Sequence, residues 1–215
     1  MNFSLILTAG GTSSRYGNKN KLLEKINSKT VIEYALAPFL KFDEISQIII
    51  PANISVIEDL KRIFADKKIL IIEGGKTRQE SVYKALQKVS GEYVLIHDGA
   101  RPLITREIIE NVIKLVREKG AVTVMTKTTD TIKEVDEDGK IIKTIDSSRL
   151  YNTQTPQAFR TALIKDAHNK FKGGNYTDDS SMLEESGVPV YIAEGSPVNI
   201  KITSKSDLDF AKIYI

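Results

Sequence analysis

The stretch TAGGTSSRYGNKNK, residues 8–21, places paired glycines, hydroxyl side chains, an arginine and lysines directly behind a short apolar run, Phe3–Leu7. Glycine lets backbone N–H groups come close to a ligand, and successive N–H groups in such a loop form an anion-binding concavity. Arg15 and Lys21, beside Gly10 and Gly11, add cationic donors suited to phosphate oxygens. Lys19 and Lys25 read more simply as solvated surface lysines. The chemistry this pattern suits is the handling of phosphates. The loop lacks the Gly-Lys-Ser/Thr ending of a Walker A motif, and it is not GxGxxG, which argues against a nicotinamide dinucleotide site.

Three further loops share this character, and each follows an apolar run. HDGARP, residues 97–102, offers Asp98 to a metal ion or a ligand hydroxyl and Arg101 to a phosphate. The alternative is a charged turn in which the two pair with each other. GGKTRQES, residues 74–81, opens a helix whose first N–H groups suit a phosphate or a negatively polarised ligand edge, with Ser81 reaching in from the first turn. Here Thr77 and Glu80 are equally well spaced to do no more than cap the helix. EGSPVNIKIT, residues 194–203, is the last of the set. The Thr-Asp-Asp run at 177–179 is explained most cheaply as an N-cap with favourable dipole charges. His97 reads as a packed structural histidine and His168 as a surface one. With two histidines and no cysteine, no dedicated zinc site is expected. No Ser/His/Asp signature occurs.

Positioning these loops requires a regular frame. Phe3–Leu7, Ile48–Ile50, Ile69–Ile72, Tyr93–Ile96 and Val122–Met125 are continuously apolar and β-branched, as strands covered on both faces should be. Amphipathic stripes lie between them, on Val56–Phe64, Val82–Val89 and Ile108–Val116, and Thr105 is suited to cap the last. Thr30–Leu40 is also helix-like, with Pro38 expected to shorten it. The alternation predicts an α/β fold: a mostly parallel, Rossmann-like sheet flanked by helices, with ligands bound beyond the carboxyl ends of its strands. One segment breaks the pattern. TDTIKEVDEDGKIIKTID is two polar-alternating strands around Asp138-Gly139, a hairpin too polar for a core. It reads either as an arm that pairs with a second subunit or as a solvated edge hairpin. A helix near 160–171, a strand in VPVYIAE and a closing helix from about Ser206 complete the expectation.

At 215 residues the chain suffices for one substantial core, and we expect a single domain over residues 1–215. The 31 basic and 28 acidic residues leave a net charge of +3, too even for bulk binding to nucleic acid or to a membrane surface. No apolar stretch approaches the roughly 20 residues of a membrane span, and the opening run has no basic leader. A cytoplasmic protein is expected.

Taken together, TAGGTSSRYGNKNK, GGKTRQES, HDGARP, TQTPQAF and EGSPVNIKIT resemble, in order and spacing, the 2-C-methyl-D-erythritol 4-phosphate cytidylyltransferases. The resemblance runs from Leu5 to Tyr214. It implies a homodimer completed by a β-arm at about 130–152, and transfer of CMP from CTP to a polyol phosphate in non-mevalonate isoprenoid precursor biosynthesis. It further implies that Thr8, Ala9, Gly10, Gly11 and Arg15 cradle the CTP phosphates, and that Gly75, Lys76 and Ser81 read the cytosine and its surroundings. Asp98, Gly99, Ala100 and Arg101 would contact nucleotide and acceptor. Arg15, Lys21 and Lys201 would stabilise the transition state, with Mg²⁺ bridging the CTP phosphates. Thr131 and Thr155 fall where the family contacts the acceptor. The chain departs from the pattern at Ser13, usually glycine, and at Asn20-Lys21-Leu22, usually Pro-Lys-Gln in a longer loop. It also departs at Ser147, where the family's arm carries an arginine. Arg149 lies two residues on, an even step that would keep the same strand face. A ribitol-5-phosphate cytidylyltransferase of the same fold is the nearest alternative, and a non-catalytic nucleotide-binding protein the more distant one.

Overall fold

The computed structural model describes residues 2–11, 16, 20–65, 67–174 and 176–215. Arg15 and Ser13 lie outside the described residues. The chain runs β1 (Phe3–Thr8), a small ribbon of β2 (Lys25–Ile26) and β3 (Lys29–Thr30), α1 (Val31–Leu36), β4 (Ile45–Ala52), α2 (Ile57–Ile63) and β5 (Leu70–Glu73). It continues through α3 (Arg78–Leu86), β6 (Tyr93–Asp98), α4 (Arg106–Lys119) and β7 (Ala121–Lys127). A hairpin of β8 (Ile132–Val135) and β9 (Ile141–Ile145) follows, then β10 (Tyr151–Arg160), α5 (Thr161–Lys170), α6 (Ser180–Glu185), β11 (Tyr191–Glu194) and α7 (Lys205–Tyr214).

Seven strands form the main sheet in the order β11-β7-β10-β6-β1-β4-β5. All pairings are parallel except those of β10, which runs antiparallel to both β6 and β7. From β1 the chain adds β4 and β5 on one side, then crosses to add β6 on the other. A topological switch point therefore opens between the carboxyl ends of β1 and β6. The apolar continuity of β1 has its expected cause. Leu5 and Leu7 are buried in one core with residues of α1 and α4, while Ile6 is buried on the opposite face with residues of α3 and α5. The stripe on α4 is buried as its spacing predicts; Thr105 caps its start and Gly120, at φ 83°, ends it.

Two expectations change in detail. TQTPQAF, for which the periodicity indicated no element, lies inside β10. Its polar residues disguise it, because they face a polar cavity rather than a core. The arm is a hairpin over residues 132–145, since Tyr151 and Asn152 already pair with β7 in the main sheet. Its turn is built as Asp138-Gly139 implied: Gly139 has φ 81°, and the Asp136 carboxylate accepts the N–H groups of Asp138 and Lys140.

Candidate active site

Thr8 and Asp98 end neighbouring strands in register, and the Thr8 hydroxyl donates to Asp98 Oδ1 at 3.3 Å. Asp98 is the hub of the site. Arg78 Nε lies 3.3 Å from its Oδ1, Lys201 Nζ 2.8 Å from its Oδ2, and Arg101 Nε 3.7 Å from its Oδ2. Burial opposes the ionisation of Asp98, but the three neighbouring cations outweigh it and hold its carboxyl well below the usual carboxylate range. Burial likewise works against the charge on Arg78, and its two carboxylate partners, Asp179 and Asp98, more than offset that. For Arg101 burial wins, and its pKa falls below the usual guanidinium value despite Asp98.

The loop after β11 delivers Lys201 to this hub. Ile202 N–H donates to Ala100 C=O at 2.8 Å, Arg101 donates to Asn199 C=O at 2.8 Å, and the buried Asn199 amide donates to Gln154 and Thr155. α3 delivers Arg78 as its first residue. Thr77 caps that helix by accepting the Glu80 N–H, while the Glu80 carboxylate accepts the Lys76 N–H rather than closing a capping box on Thr77, so half of the capping reading holds. Sequence reasoning nevertheless passed over Arg78. The available signal was its position, because a cation in the first turn of a helix opposes the macrodipole and asks for a partner.

Two cavities meet at this hub. The first, about 320 Å³, is lined by Thr8, Gly10, Gly11, Lys21, Lys76, Ser81, Gly99 and Ala100. The second, about 420 Å³, is lined by Arg101, Thr153, Gln154, Thr155, Gln157, Thr177, Asp178 and Glu184, among others. Arg78, Asp98 and Lys201 line both and form the wall between them. Most of the expected nucleotide residues thus share the first cavity. Ala9 is buried behind it, bridged to Ala52. Gly75 is set by its N–H, which donates to the Ser81 hydroxyl at 2.9 Å. The Ser81 side chain is also the reason Gly10 is glycine, because a Cβ there would stand 2.8 Å from its hydroxyl oxygen. Thr131 and Arg149 are exposed and line neither cavity. The strand-face argument for Arg149 does not apply, because Ser147–Arg149 form a 3₁₀ turn, in which residues two apart do not share a face.

Two other readings are corrected. His168 is buried rather than exposed, and its Nε2 lies 3.1 Å from Asp179 Oδ1. Of the Thr-Asp-Asp run, Asp178 does cap α6, its Oδ1 accepting the Ser181 N–H at 3.2 Å, but Asp179 does not: it is fully buried and pairs with Arg78 at 2.7 Å. Helical periodicity could not show this, since the partners come from three separated segments.

His97 is the structural histidine expected, held in a closed chain of hydrogen bonds. A carbonyl only accepts, so His97 Nε2–H donates to Arg101 C=O at 3.2 Å. Nδ1 then accepts from the Thr155 hydroxyl at 3.0 Å, and that hydroxyl accepts the Asp98 N–H at 3.0 Å. Thr155 therefore has its proton committed, leaving a lone pair for any ligand in the second cavity. Burial pushes the His97 pKa down from 6.5 to about 4. The folded state thus refuses a proton that the unfolded chain accepts below about pH 6.5. Stability should be complete above that value and fall by about 3 kcal/mol as the pH drops toward 4. Denaturant titrations at pH 7 and pH 4.5 should show this loss, and His97→Gln should flatten it. An equal pH slope in that variant would exclude His97 as the cause.

Among the described residues no group of three or more His, Cys, Asp or Glu side chains could hold a metal ion, and no helix is long and apolar enough to cross a membrane. The comparisons with known proteins agree with the geometry. The family described as IspD, 2-C-methyl-D-erythritol 4-phosphate cytidylyltransferase, matches residues 3–215. The 2-C-methyl-D-erythritol 4-phosphate cytidylyltransferase of Dictyoglomus thermophilum is 40% identical over 213 residues, covering 94% of this chain and 92% of that protein. That of Bacillus cytotoxicus is 39% identical over 221 residues, covering 99% and 97%. The crystal structure of 4-diphosphocytidyl-2C-methyl-D-erythritol synthase from Anaerococcus prevotii superposes with a TM-score of 0.87 at 32% identity, over 99% of this chain and 97% of that one.

Proposed function

The chain belongs to the 2-C-methyl-D-erythritol 4-phosphate cytidylyltransferase family, and from that premise we propose how its residues divide the work. It is a nucleotidyltransferase that moves CMP from CTP to 2-C-methyl-D-erythritol 4-phosphate, releasing pyrophosphate, in isoprenoid biosynthesis. CTP occupies the first cavity. Its phosphates lie against the backbone N–H groups of Gly10 and Gly11 and the ammonium of Lys21, with Arg15, in the same sequence motif, as a further partner; its base lies against Gly75, Lys76 and Ser81. The polyol phosphate occupies the second cavity, with Arg101, Thr155 and Asp98 beside it. The observation that carries this assignment is the shared wall: two cavities of ligand size meet at Arg78, Asp98 and Lys201.

An oxygen of the acceptor phosphate attacks the α-phosphorus of CTP. The new P–O bond forms as the bond to the β-phosphate breaks, and that electron pair leaves on pyrophosphate. The nucleophile is already an anion near neutral pH, so no general base is needed, consistent with His97 being locked in the fold. The barrier is repulsion between two polyanions and the charge that builds on the transferring group. Lys201 lines both cavities, which supports its neutralising both phosphates at once. Mg²⁺ would enter on the triphosphate and supply further charge neutralisation, and Asp98, which lines the first cavity, would hold it in exchange for part of its pairing with Arg78, Arg101 and Lys201.

The exposed β8–β9 hairpin presents Val135, Ile141 and Ile142 to solvent. This supports a homodimer in which the arm is covered by a second copy and Thr131 and Arg149 serve the neighbouring site. A single domain and a cytoplasmic location complete the reading. Pyrophosphate release, assayed with CTP and each polyol phosphate in parallel, tests it. Turnover is expected with the methylerythritol phosphate. Turnover with ribitol 5-phosphate alone would reassign the acceptor, and release with neither would leave a nucleotide-binding protein without catalysis.

A further inference from the structure

We propose that His168 is a positioning residue: through Asp179 it holds the Arg78 guanidinium in the wall between the two cavities. The inference rests on the reading of that wall as the meeting place of the two substrates, and it concerns groups with no part in phosphate contact.

The three residues come from α5, the start of α6 and the start of α3. Asp179 Oδ2 accepts from Arg78 Nη1 at 2.7 Å, and Asp179 Oδ1 lies 3.1 Å from His168 Nε2. Its backbone N–H donates to Gln157 Oε1 at 2.9 Å. His168 and Asp179 are buried, at 1% and 0% exposure, while Arg78 is partly open, its side chain 23% exposed toward the cavities. Burial works against ionisation of Asp179, but Arg78 and the His168 hydrogen bond hold its pKa below the usual value. An ionised carboxylate only accepts, so the His168 Nε2 must carry the proton and donate.

A buried carboxylate is costly to desolvate, and apolar residues of similar volume would often serve stability as well. Its placement directly behind Arg78 therefore asks for a reason. Arg78 has two carboxylate partners of unequal quality. The contact on the buried side is short, at 2.7 Å, and the contact to Asp98 is loose, at 3.3 Å. The guanidinium is thus anchored from behind, which keeps its front face available at the wall. Without the His168 donor Asp179 Oδ1 is left unpaired and the carboxylate can turn, which loosens the anchor on Arg78. Misplacement of a positioning group by about 1 Å can cost about 10²-fold in rate.

The experiment compares His168→Gln, whose amide can occupy the Nε2 position, with His168→Asn, whose amide cannot. The wild-type enzyme and both variants are assayed for kcat, for KM toward CTP and toward the acceptor, and for thermal unfolding. The ¹⁵N–¹H signal of Arg78 Nε–Hε is followed in each without substrate. In the Asn variant kcat should fall roughly tenfold to a hundredfold, KM for CTP should hold, and the Arg78 signal should move. In the Gln variant most of kcat and the wild-type signal should return. On an Arg78→Lys background, which already lacks the anchored fork, His168→Asn should cost little more. Wild-type kcat in the folded Asn variant, an unmoved Arg78 signal, or a loss that adds to that of Arg78→Lys would overturn the proposal. Should the Asn variant not fold, Asp179→Asn, which keeps the shape of the buried group, is read by the same cycle. If the wild-type enzyme releases no pyrophosphate with any polyol phosphate, the functional reading fails, whereas the Arg78 signal still decides the role of His168.

Discussion

Lys201→Ala lowers kcat by about 10²–10³-fold, the usual cost of removing one aimed donor from a developing charge, and leaves the fold nearly as stable as before. Among the described lysines Lys201 alone lines both cavities, so on the proposed reading it faces both reacting phosphates. Its side chain is 38% exposed, and its pair with Asp98 is accordingly screened. Stability should therefore change by no more than about 1 kcal/mol. Single-turnover rates at saturating CTP and acceptor, set beside unfolding curves, separate the two effects. Lys201→Arg keeps the charge but not the compact ammonium, and it should recover only part of the rate. Lys21→Ala should behave similarly, because Lys21 lines the first cavity, proposed to hold CTP. A kcat near wild type would remove either lysine from the mechanism.

Asp98→Asn should damage stability and rate together. One buried carboxylate balances Arg78, Arg101 and Lys201, all within 3.7 Å. The amide can still accept hydrogen bonds, but the three cations then face one another with only Asp179 to offset Arg78. Removing one partner of a buried pair commonly costs about 3–5 kcal/mol, and the solvent reach of Lys201 puts the expected loss near the lower figure. Lys201 also loses its aim, so kcat should drop by about 10²-fold. The pH dependence identifies the cause. The folded pKa of Asp98 is depressed, so its contribution is present above the unfolded carboxylate value of about 3.9 and is lost as pH falls through the folded one. The gap between wild type and variant should stay constant from pH 8 to pH 5 and close only below about pH 4. This separates it from the His97 effect, which lies between 6.5 and about 4. A gap that closes in the His97 range would assign the loss to His97 instead.

Much of the first cavity, proposed to hold the nucleotide, was legible before folding. The glycine loop after β1, the paired glycines before α3 and the loop carrying Asp98 each follow a strand in a parallel sheet. Such a sheet places all of those ends on one edge, and Thr8, Gly10, Lys21, Ser81 and Asp98 duly share a cavity. The second cavity, proposed to hold the acceptor, was not legible in the same way. Its wall is β10, whose polar run Thr153–Gln157 carries no strand signature because it faces a polar cavity. Arg149 illustrates the opposite error: a face argument valid for a strand was applied to a 3₁₀ turn.

By itself the sequence determined the α/β alternation, the loops that come to line one cavity, the hairpin arm and the family. These depend on local pattern: apolar runs, caps, glycines and the spacing of short motifs. Only the tertiary structure decided that Arg78 belongs to the candidate site, that Asp179 and His168 are buried behind it, and that one carboxylate serves cations from three separate segments. Arg78 and Asp179 are 101 positions apart. Their charges are tolerable in the interior only as a pair, and whether two distant charges become a pair depends on which helices and strands pack together.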